Sequence, residues 1–195
     1  MKRFAPATQR NREPIREVLA RELPPQGVVV TIAEGTGEHA VYFAAAFPQL
    51  AWQPTDLDDR ALQSIEAYRS EAALPNLREA LRLDAREPQW PIPAADAITC
   101  INMIHISPWA STLGLFAGAA RLLAPGALLY LYGPYRFDGT FTAPSNEEFD
   151  RSLKLRDPAW GLRDVRDIEA AATGFALREV VAMPANNHSL VFRRT

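Results

Sequence analysis

The 195-residue chain has a single cysteine, Cys100, so no internal disulfide can form. Cys100 stands in a strand-like run and reads as a small buried apolar residue. No block of Lys or Arg stands out, and the net charge is −2 with the three histidines neutral. The electrostatic footprint of a nucleic-acid binder is therefore missing, and no nucleic-acid partner is expected. No apolar run approaches the roughly 20 residues of a membrane span, and no membrane partner is expected. The opening Met1-Lys2-Arg3-Phe4-Ala5-Pro6 lacks the apolar core of a signal peptide, which sets a cytoplasmic expectation. There is no internal repeat, low-complexity tract or linker. What is present is ordinary for one domain with one core: 48% hydrophobic and 23% charged residues.

The chain is organised around Val28-Val29-Val30-Thr31-Ile32-Ala33-Glu34-Gly35-Thr36-Gly37. The β-branched run predicts a buried parallel strand. It meets a glycine turn and then an apolar helix over about His39 to Phe47. Strand, glycine turn and helix form the first unit of a doubly wound sheet. There the backbone approaches a ligand closely and a helix start offers free N–H groups.

Residues 1–10 read as an arm, followed by a helix capped by Asn11 with Pro14 in its first turn. Leu50 to Asp56 predicts a second strand, ending in the acidic cluster Asp56, Asp58 and Asp59. A short third strand falls within Leu77 to Asp84, and Asp96 to Ile101 predicts a fourth. Ser107-Pro108 opens a helix that Pro125-Gly126 closes, and Ala127 to Tyr132 predicts a fifth strand. The stretch from Gly133 to Leu162 reads as a long irregular segment rich in aromatics, of the kind that usually carries function. Asp164 or Asp167 begins a further helix. The strands Leu177–Met183 and Ser189–Arg193 are joined by so few residues that they must run antiparallel. The sum is a single α/β domain: a mostly parallel seven-stranded sheet with helices on both faces and a C-terminal antiparallel hairpin.

This pattern resembles the Rossmann-like class I S-adenosylmethionine-dependent methyltransferases. More narrowly, the chain is similar to the family of uncharacterised methyltransferase-like proteins designated DUF938, which includes the methyltransferase-like 26 proteins. The matching strings are Asn11-Arg12-Glu13-Pro14-Ile15, Gly35-Thr36-Gly37-Glu38-His39-Ala40, Trp52-Gln53-Pro54-Thr55-Asp56, Asn102 to Trp109, Gly133-Pro134-Tyr135 and Met183 to Asn187. The resemblance implies a methyltransferase using S-adenosyl-L-methionine, with S-adenosyl-L-homocysteine as product and a small molecule as acceptor. The acceptor atom (O, N or S) and the oligomeric state stay open. Such enzymes usually carry an acid four residues before the first glycine. That position is Thr31 here, and Glu34 is the acid available to compensate, unless it merely sits near the turn.

The same resemblance assigns the cofactor to Glu34, Gly35, Thr36, Gly37, Asp56, Leu57, Asp84, Ala85, Asn102 and Met103, with no metal. Asp56 would accept hydrogen bonds from ribose hydroxyls; the alternative is capping the next helix, for which Asp58 and Asp59 are better placed. Asp84 and the Ala85 backbone would lie near the adenine, or Asp84 is a solvated loop carboxylate. His105, just past the fourth strand, is the candidate base, or else a structural histidine between Ile104 and Ile106. Tyr135 would orient an acceptor. Asn186 and Asn187 face the same pocket or serve the turn. Arg12 either covers the pocket or pairs with Glu13 or Glu17.

Two other functions fit the glycine motif. Gly35 to Ala40 satisfies G-x-G-x-x-A and Asp56 follows Gly37 by 19 residues, as in an NAD(P)-dependent oxidoreductase. Against this, the Tyr-x-x-x-Lys pair of short-chain dehydrogenases is missing. The Thr31 substitution admits a non-catalytic S-adenosylmethionine-binding protein on the same scaffold.

Overall fold

The computed structural model describes residues 1–195. Its first strand, β1 (Gly27–Ile32), is the valine run, and it lies between β2 (Leu50–Asp56) and β4 (Ala97–Ile101), parallel to both. The short β3 (Leu81–Arg82) extends the sheet beyond β2, and β5 (Leu128–Gly133) continues it beyond β4. The last two strands, β8 (Phe175–Met183) and β9 (Asn187–Arg194), form the antiparallel hairpin, with β9 inserted against β5. The order is β3-β2-β1-β4-β5-β9-β8. A separate two-stranded ribbon pairs β6 (Arg136–Phe137) with β7 (Thr140–Phe141).

Successive side chains of a strand point to opposite faces, so the sheet feeds two cores. Val30, Ile98, Leu129 and Phe192 pack with α4 (Trp109–Leu122) and α6 (Val165–Ala171). Val29, Ala97, Leu128 and Val191 pack with α1 (Pro6–Glu22) and α2 (Glu38–Ala46). Phe43 of α2 is fully buried between the His39 and Trp52 rings, so its truncation to alanine would cost about 3–5 kcal/mol. Helix α3 (Asp59–Ala72) is capped by Asp58, whose Oδ1 accepts from Arg60 N at 2.9 Å. Capping thus falls to Asp58 and leaves Asp56 to other partners. No helix is long and apolar enough to cross a membrane.

Two expectations are corrected. The helix expected from Asn11 starts at Pro6, and Pro14 lies inside it. No side chain caps this start, so the sequence carries no cap signal there. The Ala5 N–H is instead held by Glu38 Oε2 at 2.8 Å. Pro14 lacks the N–H that would reach the Arg10 carbonyl, which loosens the helix at that point. The segment 133–162 is not irregular throughout. It holds the β6–β7 ribbon and α5 (Pro144–Arg156), whose buried face is mostly polar (Asn146 and Asp150, with Leu153) and so gives no apolar periodicity. The short third strand lies where expected, at Leu81–Arg82, with an isolated bridge between Trp52 and Leu77.

Candidate functional site

The carboxyl ends of β1, β2 and β4 open on a cavity of about 350 Å³ at the point where the strand order reverses. The glycine turn forms one wall. Gly35 has φ +76, and a Cβ there would meet nothing within 4 Å, so its backbone borders open space. Gly37 has φ +95, and a Cβ there would lie 2.7 Å from the Ile65 backbone, so this glycine serves helix packing. Six non-glycine residues take the left-handed backbone, Ala33 (φ 55) and Asn102 (φ 60) among them. Both line the cavity. Strained backbone of this kind concentrates at functional sites.

Glu34 and Asp56 are the ionisable carboxylates of the lining, and no Lys or Arg joins them. Glu34 Oε1 accepts from Ala40 N at 2.7 Å, and burial raises its pKa to about 7. Asp56 Oδ2 accepts from Gly35 N at 2.8 Å and Oδ1 from Asp58 N at 2.9 Å. Burial raises the Asp56 pKa despite these bonds. His39, also in the lining, is held neutral: its pKa falls to about 4, first by burial and then by Arg12. Its Nε2 meets Asn11 Oδ1 at 2.8 Å, tying α1 to α2. The N-terminal segment is pinned over the turn by Arg3 N donating to Ser64 Oγ at 2.7 Å, while Ser64 Oγ donates to Thr36 O.

A second cavity of about 470 Å³ adjoins the first, and Ala7, Asn102 and Ile106 border both. Its walls come from α1, the end of β5, α5 and the turn before β9. His105 lies here, 4% exposed, edge-on to the Phe149 ring at 5.7 Å. Its Nδ1 is buried without a hydrogen-bond partner, close to Gly133. Burial, then Arg163, brings its pKa down to about 4. The His105 carbonyl accepts from Gly161 N at 3.0 Å, which fixes the turn.

Of the residues expected at a cofactor site, Glu34, Gly35, Thr36, Asp56, Asn102 and Met103 converge on the first cavity. Gly37, Leu57, Asp84 and Ala85 do not line it. Leu57 points to solvent at 41% exposure. Asp84 is engaged by Arg86, whose Nε donates to Oδ1 at 2.9 Å. Ala85 is buried, with its carbonyl against Gly114. Tyr135 is 1% exposed in the core, and the second cavity is bordered by its neighbour Pro134 instead. Burial raises the Tyr135 pKa well above 10. Arg12 stacks on the Tyr42 ring at 4.7 Å, and Asn187, which does reach the second cavity, donates its amide to the Pro184 and Ala185 carbonyls. Cys100 is buried, its thiol pushed up to about 12. Sequence reasoning missed Arg10 and Asn11 as lining residues because their helix was taken to start later. It missed Ser145, Asn146 and Phe149 as a set because α5 was not recognised. The Phe149 aromatic was the available signal.

The family model described as "Protein of unknown function (DUF938)" matches residues 2–194. The chain belongs to this family. Among solved structures, it is similar to an O-methyltransferase family protein from Burkholderia thailandensis, with TM-score 0.81 and 18% identity over 97% of this chain and 57% of that one. Mitomycin 7-O-methyltransferase gives TM-score 0.79 and 17% identity over 95% of this chain and 54% of that one. An SAH-bound methyltransferase of calicheamicin biosynthesis gives 0.73 and 16% over 93% and 54%. This DUF938 chain therefore has the Rossmann-like methyltransferase fold, and it spans little more than half the length of those structures.

Proposed function

We propose that the chain is an S-adenosylmethionine-dependent methyltransferase acting on a small-molecule acceptor. The observation that carries this reading is the acidic cavity at the strand-order reversal, built from Glu34, Asp56 and the open backbone of Gly35. A ligand taken there should be cationic, because two partly buried carboxylates without a counter-charge repel anions and are relieved by a cation. The ammonium and sulfonium of S-adenosylmethionine meet that demand, and a dinucleotide with its anionic diphosphate does not. The similar solved structures include methyltransferases, one of them SAH-bound, which supports the same choice.

In this reading Glu34 takes the ammonium end, in place of the acid that Thr31 does not supply. Asp56 retains lone pairs beyond its two backbone bonds and accepts from ribose hydroxyls. Asn102 and Met103 border the reacting end. When bound, the cofactor supplies an already activated methyl group, so the protein's task is to hold donor and acceptor in line and exclude water. Asn102, shared by both cavities, marks where the two meet. Helix α5 and the ribbon before it cover the acceptor side and set specificity.

Calorimetric titration with S-adenosylmethionine, S-adenosylhomocysteine and NADH tests this reading. Binding of both S-adenosyl compounds without NADH is expected. NADH binding alone would restore the oxidoreductase. Cofactor binding with no turnover of any acceptor panel would favour the non-catalytic alternative.

A further inference from the structure

We propose that the second cavity takes an aryl acid that arrives already ionised, so that methyl transfer needs no general base from the protein. This rests on the methyl-donor reading of the first cavity and names the acceptor class for it. Among the residues bordering the second cavity, Arg10 carries the one formal charge, and no Asp or Glu is present. Arg10 forms no ion pair within the chain, so its guanidinium is not neutralised by any carboxylate of the protein, as those of Arg3, Arg16 and Arg21 are. It sits close enough to the Tyr132 phenol to favour that group's ionisation, which places its charge at the cavity wall. An unpaired guanidinium facing a pocket without acids selects a carboxylate or phenolate and disfavours an ammonium.

The apolar part of the wall suits a flat ring. Phe149 and Ile106, which are 39% and 40% exposed, border it together with Pro134 and Pro184. A volume of about 470 Å³ lies in the range of small-ligand pockets. The titratable groups facing this space are His105, Tyr132 and Arg10. His105, with its pKa near 4, is too weak a base to deprotonate an acceptor near neutral pH, and the Tyr132 phenol is raised by burial. An acceptor that enters as an oxyanion removes the need. Its oxygen lone pair forms the new C–O bond while the methyl carbon's bond to sulfur breaks. The electron pair of that bond stays on sulfur, leaving a neutral thioether and a neutral methyl ether or ester. No proton is transferred.

The test uses the full chain saturated with S-adenosylhomocysteine and titrated with benzoate, 4-nitrophenolate and benzylammonium. At least one aryl acid should bind, with benzylammonium silent. Arg10→Gln should weaken that binding roughly tenfold or more, and Arg10→Lys should recover part of it. Arg12→Gln, on the same helix but stacked on Tyr42, should leave it unchanged. S-adenosylhomocysteine affinity should stay within about twofold in all three variants. For an acid that turns over with S-adenosylmethionine, the pH midpoint of the rate should move with the acceptor's own ionisation across a series. Benzylammonium binding as tightly as the acids, no acid binding at all, or an Arg10→Gln protein that binds acids normally would overturn the inference while leaving the donor site intact. A midpoint fixed across the series would also overturn it, by placing an obligatory base on the protein. Failure of S-adenosylhomocysteine itself to bind would instead sink the donor reading beneath it.

Discussion

The two cavities share a wall and differ in sign. The one over the glycine turn is lined by Glu34 and Asp56 with no Lys or Arg; its neighbour has Arg10 and no acid. They also differ in construction. The first is made of strand ends and main chain, held by short backbone hydrogen bonds to the two carboxylates. The second adds to the ends of β4 and β5 side chains of α1, α5 and the hairpin turn, elements far apart in the chain. A site built from backbone at a sheet crossover suits a ligand common to a whole fold, and a site built from side chains of separate elements suits a ligand particular to one protein. The charge difference adds direction: on the proposed reading, a cationic donor and an anionic acceptor would each enter the cavity that favours them.

The comparison can be broken most forcefully at Glu34. Glu34→Gln should weaken S-adenosylmethionine binding by about 2–4 kcal/mol, the scale for losing one partner of a buried charge pair, as read by calorimetry. The same substitution should raise the melting temperature of the ligand-free protein above pH 7. Burial lifts the Glu34 pKa to about 7, so its contribution is fully present below about pH 4.5 and is lost as pH rises through 7. A variant that gains stability and keeps its affinity would remove Glu34 from the donor site.

Asp56→Ala should weaken cofactor binding by about 1–3 kcal/mol, since its carboxylate also orders Gly35 and part of the loss is structural. Unchanged affinity would count against its ribose role. At the shared wall, Asn102→Ala should cost about 1 kcal/mol of stability because alanine pays for a φ of 60, whereas Asn102→Gly should be nearly neutral in melting experiments. Turnover should fall in both variants if the Asn102 amide contributes at the junction.

Near neutral pH the smallest effect comes from the histidines on either side of that wall. His39 and His105 are both held near pKa 4. The unfolded chain takes up these protons at higher pH than the folded one. Stability should therefore be full above about pH 6.5 and decline as pH falls toward 4. Replacing His105 by Asn should flatten part of that decline in a melting series. It should leave the rate near neutral pH largely intact if no base is needed there.

The first cavity was largely legible in the sequence and the second was not. Val28 to Gly37 announces its own geometry: β-branched residues demand a strand, and the following glycines demand the turn. Asp56 follows from the next strand's end, and the family resemblance added Glu34, Thr36, Asn102 and Met103 to the group that the cavity brings together. Asp84 and Ala85 could not, because the two-residue β3 leaves their direction to packing against Arg86 and Gly114. The second cavity depends on α1 starting without a side-chain cap and on α5 burying amides and a carboxylate. Neither leaves a periodic apolar trace. Tyr135 shows the same limit: chain position put it beside the pocket, and only tertiary packing shows its ring turned into the core.

The most direct test is the proton count on donor binding. Glu34 is mostly protonated at pH 6 in the ligand-free protein and must ionise to pair with a cation. Titrating S-adenosylmethionine at pH 6 in buffers of different ionisation enthalpy should show release of about one proton, falling toward zero by pH 8.5 and absent in Glu34→Gln. Binding with no proton release at pH 6, or the same release from the Glu34→Gln protein, would contradict the acidic cavity as the seat of the methyl donor.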